Sequence, residues 1–120
     1  MHSKVYRVDK FVVPDRAREE FLARVEATHV ILRAQAGFVE DAILEQASGP
    51  GKFNFVTIVR WENEESLEPA RQAVAALHHR MKFNPREMMA RLGIRADVAN
   101  YRDVDLSQRR DSRRKSLRSF

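Results

Sequence analysis

Two histidines stand where an imidazole could carry a proton. His78 falls near the centre of an apolar stripe that repeats at helical spacing, Leu67, Ala70, Val74, Leu77, His78 and Met81. His79 is turned by about 100° to the flank of the same helix. His29 lies in a second stripe with Ala17, Phe21, Leu22, Val25, Thr28 and Leu32. An inward histidine either hydrogen-bonds within a core or lines a pocket. If both helices cover one sheet face, His29 and His78 approach a common cavity, where two imidazoles can hold or pass a proton. No carboxylate on the same faces stands at ligand spacing, so a metal centre is not expected. The chain has no cysteine, which excludes disulfides, thiolate ligands and a thiol nucleophile. Glycine-rich phosphate loops, nucleotide fingerprints and a Ser-His-Asp order are also absent. Any oxidation is therefore expected either to need no cofactor or to use a ligand the sequence does not announce.

The elements that must position these groups can be read from pattern. Residues 4–13, KVYRVDKFVV, form a first strand that stops at Pro14, and Asp15 is expected to cap the helix over residues 16–35. Gly37 ends that helix. A second strand runs from Phe38 to Gln46, with Phe38, Ala42 and Leu44 on one face and Val39, Asp41, Ile43 and Glu45 on the other. Ser48-Gly49-Pro50-Gly51 makes a turn. The third strand, Phe53 to Glu62, points Phe53, Phe55, Val59 and Trp61 one way and Val56 and Ile58 the other. A strand apolar on both faces needs a second cover, and the opposing sheet of another subunit supplies one. The second helix starts between Asn63 and Ser66 and runs to about Lys82. Asn84-Pro85-Arg86-Glu87 opens a short third helix, with Asn84 as cap and Glu87 reaching back, and Gly93 stops it. Ala96 to Val104 is the last strand. Met81, Met88 and Met89 beside Phe83 could form an adaptable apolar mouth, or pack as core.

The stretch RAQAGFVEDAILEQASGPGKFNFVTIVRWENEESLE, from Arg33 to Glu68, places Ala-Gly-Phe at the start of one strand and Arg-Trp-Glu at the end of the next. In this order it resembles the antibiotic biosynthesis monooxygenase family, and the resemblance extends over roughly Tyr6 to Val104. It implies an α+β, ferredoxin-like βαββαβ sandwich with a short extra helix before the last strand, paired through its sheets as a homodimeric α/β barrel. It also implies a cofactor-independent monooxygenase that oxidises a small aromatic, phenolic or quinol substrate with O2. The alternatives on this fold are a non-catalytic ligand-binding or interaction module and a cofactor-free isomerase or lyase. Haem-degrading members carry a catalytic histidine in an Ala-Ala-His context; here the run is Ala75-Ala76-Leu77-His78-His79. Where those members have an asparagine on the first strand and a tryptophan early in the second helix, this chain has Asp9 and Arg71. In quinone-forming members a tryptophan at the place of Trp61 lines the substrate region, and an asparagine precedes it by four residues, where Thr57 stands here. With the resemblance, His78 is expected as the catalytic base or proton store, and His29, from its place on the first helix, as its catalytic helper. The resemblance implies Trp61 and Phe55 as aromatic walls, and Arg71 and Asp9 as further substrate contacts.

The formal net charge of +5 is a property of the tail. Residues 105–120 hold six basic and two acidic side chains, leaving 16 and 15 in residues 1–104. A nearly neutral folded body is not what a nucleic-acid domain presents. The tail is expected to be a solvated extension outside the 1–104 domain. No run approaches the ~18 apolar residues of a membrane span, and the N-terminus has no apolar signal core, so a cytoplasmic protein is expected.

Overall fold

The computed structural model describes residues 4–107. Most of the basic tail therefore lies outside the described residues. Four strands and three helices follow in the order β1 (Val5–Val12), α1 (Arg18–Arg33), β2 (Phe38–Glu45), β3 (Phe55–Trp61), α2 (Leu67–Arg80), α3 (Pro85–Leu92) and β4 (Arg95–Arg102). The sheet order is β2-β3-β1-β4, with every neighbouring pair antiparallel. This is the ferredoxin-like α+β arrangement expected from the sequence, with α3 as the extra helix.

Strand alternation and register fix two faces. Val5, Arg7, Asp9 and Phe11 of β1 lie level with Trp61, Val59, Thr57 and Phe55 of β3. These four β3 residues are buried beneath the helices. The core sits there in two groups. Phe21, Phe55, Met88, Leu92 and Ile94 pack around Val13 and Ala17, while Val59, Trp61 and Ala70 pack near Phe38 and Leu67. The opposite face carries Val8, Ala42, Leu44, Val56, Ile58 and Tyr101, among which Leu44 and Tyr101 are 48% and 47% exposed.

Several local expectations change. The register between β2 and β3 shifts between Phe38 and Glu40. Val39 is the extra residue of a bulge, so Phe38 shares the helix-covered face with Asp41, Ile43 and Glu45 instead of standing with Ala42 and Leu44. Asp15 does not cap α1. It opens a 3-10 turn, Asp15–Ala17, that is closed by the Ala17 amide donating to the Pro14 carbonyl at 2.9 Å. Phe53 is not in the third strand. The Asn54 side chain takes the strand-like bonds at that point, accepting from the Val13 amide at 2.8 Å and donating to the Val13 carbonyl at 2.7 Å. At α3 the side chain of Asn84 accepts from the Arg86 and Glu87 amides, and Gly93 ends the helix in the left-handed conformation, φ 72°.

Gly37 is fixed by two demands at once. Its φ is 87°, and a Cβ there would stand 2.0 Å from Ser66 Oγ, in the turn that leads into α2. Gly49 has a similar φ of 96° but open space around it. Gly49→Ala should therefore cost only the backbone term, about 1 kcal/mol, whereas Gly37→Ala adds overpacking and should cost about 2–4 kcal/mol. Urea unfolding of both variants checks this, and equal losses would mean that Ser66 yields freely.

Candidate functional site

Helices α1 and α2 cover the sheet without closing over it, and a cleft in two chambers remains. The first, about 370 Å³, is bounded by Leu32, Trp61, Leu67, Arg71, Val74 and Asn100. The second, about 320 Å³, is bounded by Phe11, Arg24, His78, Phe83, Met89 and Val98. Arg7, Asp9, Thr28, His29 and Thr57 line both chambers and form the polar waist between them. Each chamber has room for a ring system.

His29 is the best-defined group at the waist. It is 4% exposed, and its Nδ1 lies 2.8 Å from Asp41 Oδ2. Arg33 Nε donates to the same oxygen at 2.9 Å. His29 and Arg33 are four residues apart on α1, so both reach one acceptor on β2. Burial alone would raise the Asp41 pKa, but the bonds from His29 and Arg33, with the Arg33 charge, hold it below the ordinary carboxylate range. The carboxylate is thus ionised and can only accept, so the hydrogen of this bond is on His29 Nδ1. Among the described residues no hydrogen bond is made to Nε2.

His78 lines the second chamber while His79 is exposed. The end of α2 holds the His78 ring in place. The Phe83 amide donates to the His78 carbonyl at 2.9 Å, Lys82 turns left-handed at φ 53°, and the Phe83 ring meets the His78 ring edge-on at 5.2 Å. Arg24 lies 3.9 Å over the other part of this stack, against Phe83. Burial, and then the Arg24 charge, lower the His78 pKa below its ordinary value.

The remaining expected residues separate. Trp61 is buried at 2% exposure against Phe38 and bounds the first chamber. Asp9 is at the waist, bonded to Arg7 at 2.7 Å on the same strand face. Arg71 is exposed at the mouth of the first chamber and bonded to Glu68. Phe55 is not a cleft wall; it packs at 5.1 Å from Phe21 in the core, roofed by α1 and α3. Met88 and Met89 border the second chamber, but Met81 is half exposed beyond the end of α2. Asp41 was not expected as a site residue. The available signal was the His29–Arg33 spacing, which calls for one shared acceptor. Among the described residues no three His, Asp or Glu side chains are grouped to hold a metal ion. No helix among them is long and apolar enough to cross a membrane.

A helix-roofed cleft on a four-stranded antiparallel sheet defines a ferredoxin-like α+β protein. The profile of the antibiotic biosynthesis monooxygenase family matches residues 5–81, and the chain belongs to that family. Searching the curated proteins returns no match. Solved structures resemble it in fold at low identity. SnoaB, a cofactor-independent oxygenase from Streptomyces nogalater, is 19% identical, with 86% of this chain and 95% of that chain covered and a TM-score of 0.64. A variant of MhuD with two manganese protoporphyrin IX molecules bound per active site is 19% identical, covers 84% and 94%, and scores 0.63. Rv0793 from Mycobacterium tuberculosis is 20% identical, covers 86% and 97%, and scores 0.60.

His78 makes a pH-dependent contribution of known sign. A histidine with a depressed folded pKa stabilises the fold above its unfolded value of about 6.5 and loses that contribution as pH falls toward the folded value. The charged neighbour is Arg24 on α1, while α3 and β4 present apolar Met89 and Val98. Between pH ~7.5 and ~5.5 the wild type should lose more stability than His78→Gln, measured by urea unfolding. Parallel losses would remove His78 as the titrating group.

Proposed function

We propose that this chain is a monooxygenase that oxidises an electron-rich phenol or quinol with O2 in the two-chamber cleft, without added flavin, haem or metal. Family membership and the fold shared with a cofactor-independent oxygenase support the class. The observation that carries the reading is the buried His29 imidazole at the waist, with Nδ1 bonded and Nε2 without a hydrogen-bond partner among the described residues. The roles expected from the sequence are thereby exchanged. His29 is the proton acceptor, and His78, kept neutral in the second chamber, is the auxiliary imidazole. Trp61 bounds the ring site, and Arg71 and Asp9 supply polar contacts at the mouth and the waist.

The substrate provides the electrons. Nε2 of His29 takes the phenolic proton, and the resulting anion carries charge onto a ring carbon. That carbon forms a bond to O2, giving a peroxide at a carbon that bears hydrogen. Loss of that hydrogen and cleavage of the O–O bond leave a quinone carbonyl and one water. One oxygen atom ends in product and the other in water, and His29 is restored by giving its proton to the departing oxygen. A roofed apolar cleft strengthens the pairing of imidazolium and phenolate and excludes competing water.

A panel of quinols and polycyclic phenols in aerobic buffer with chelator should show turnover that stops when O2 is removed. His29→Ala should slow it by about 10²-fold or more, and His78→Ala by less. Turnover lost to the chelator overturns the metal-free reading, and turnover indifferent to O2 points to an isomerase or lyase. Tight binding of one ligand with no turnover points to a non-catalytic module.

We also propose that the open sheet face pairs with a second copy of the chain. Its support is the apolar cluster of Val8, Ala42, Leu44, Val56 and Ile58 on a face that no helix among the described residues covers, beside Arg60 Nε, a buried nitrogen without a hydrogen-bond partner among them. A patch of this kind is uncommon on a free monomer. Sedimentation at micromolar concentration should give twice the mass of one chain, and Leu44→Lys with Ile58→Lys should return it to one. A wild-type monomer overturns the pairing.

A further inference from the structure

We propose that Asp41 is the positioning residue of the site, fixing His29 in the tautomer that leaves the lone pair on Nε2, with Arg33 anchoring the same carboxylate oxygen. The argument is independent of the substrate. A neutral imidazole can carry its hydrogen on either nitrogen, and the tautomer with hydrogen on Nε2 cannot accept a proton there. The Nδ1 bond to Asp41 at 2.8 Å selects the other tautomer.

Geometry shows how the chain brings a carboxylate to this place. Val39 is the extra residue on β2, after which Asp41 faces the helices level with Val59. In unbroken alternation from Phe38, Asp41 would fall on the opposite face, away from α1. The bulge is what lets Phe38 pack against Trp61 and Asp41 meet His29 on the same side of one strand. Arg33 then completes the set by donating to the very oxygen that His29 uses. Arg33 is itself about half exposed, whereas Asp41 is 12% exposed, so the cation stands on the solvent side and the imidazole on the cleft side.

In the reaction, Asp41 stays an anion throughout. When Nε2 receives the substrate proton, the positive imidazolium lies between that anion and the new phenolate, and no proton passes from Nδ1 to the carboxylate, which Arg33 holds in its ionised form. The Arg7–Asp9 pair and Thr57 face the same imidazole from the sheet. Asp9 is engaged with Arg7, so Asp41 is the carboxylate assigned to His29.

This inference rests on His29 being the proton acceptor, and the test separates the two claims. In uniformly 15N-labelled wild type at neutral pH, ring correlations assigned by comparison with His29→Gln should show Nδ1 protonated and Nε2 bare. In Asp41→Asn the ring should shift toward the Nε2–H form or a mixture. Arg33→Gln leaves the carboxylate in place and should keep the Nδ1–H form. Hydrogen on Nε2 in the wild type overturns the assignment without any variant, as does an unchanged ring in a folded Asp41→Asn. Where turnover is measured, Asp41→Asn should lower kcat by about 10-fold or more with little change in KM, and adding it to His29→Ala should cost nothing further. Additive losses would overturn the positioning role. A wild type with the expected tautomer but no turnover on any phenol would sink the proposed function and leave the tautomer assignment standing.

Discussion

A buried ionised carboxylate costs several kcal/mol unless its oxygens are bonded to donors, and Asp41 meets that constraint with two donors on one oxygen. Both come from the last two turns of α1, so the contact fixes where the end of that helix rests on β2. With that end fixed, Leu32 comes to bound the first chamber and Thr28 to line the waist. The other end of α1 is set by Ala17 and Phe21, packed with Phe55 and Leu92. The cleft is the space left when a helix pinned at both ends runs beside α2 over a twisted sheet.

The two histidines have opposite surroundings. His29 has the Asp41 carboxylate on Nδ1, while His78 has apolar walls and the Arg24 charge nearby, which lower its pKa. Here the difference follows from which neighbour each helix meets: α1 lands on an acidic strand residue, and α2 lands beside Arg24 of α1 and Phe83 of its own C-terminal turn.

Much of the frame was legible because it depends on local chemistry. The helical stripes placed His29 and His78 inward and His79 outward, and Asn84-Pro85 and Gly93 marked both ends of α3. What failed depends on pairing that no local window carries. The Val39 bulge exists only against β3, so alternation set Phe38 on the wrong face. Asn54 replaces strand bonding only because Val13 lies opposite it, so Phe53 was read into the third strand. Phe55 and Trp61 look alike in an alternating strand. The roof decides between them: Phe55 lies under α1 and α3 and joins the core, while Trp61 lies at the α2 end and reaches the cleft. Asp41 escaped notice because its value lies in a contact made across twelve residues of sequence, between a helix and a strand edge.

The bulge has a second consequence, for the solubility of the chain. β2 is an outer strand of the sheet, with one row of backbone donors and acceptors that no other strand among the described residues pairs with. A flat outer strand of this length is a template on which other chains can stack. An extra residue bends and twists the strand out of the plane that a straight newcomer would need. One inserted residue thus both turns a carboxylate inward and guards the open edge against aggregation. Deleting it to regularise the strand would expose the protein to both losses together.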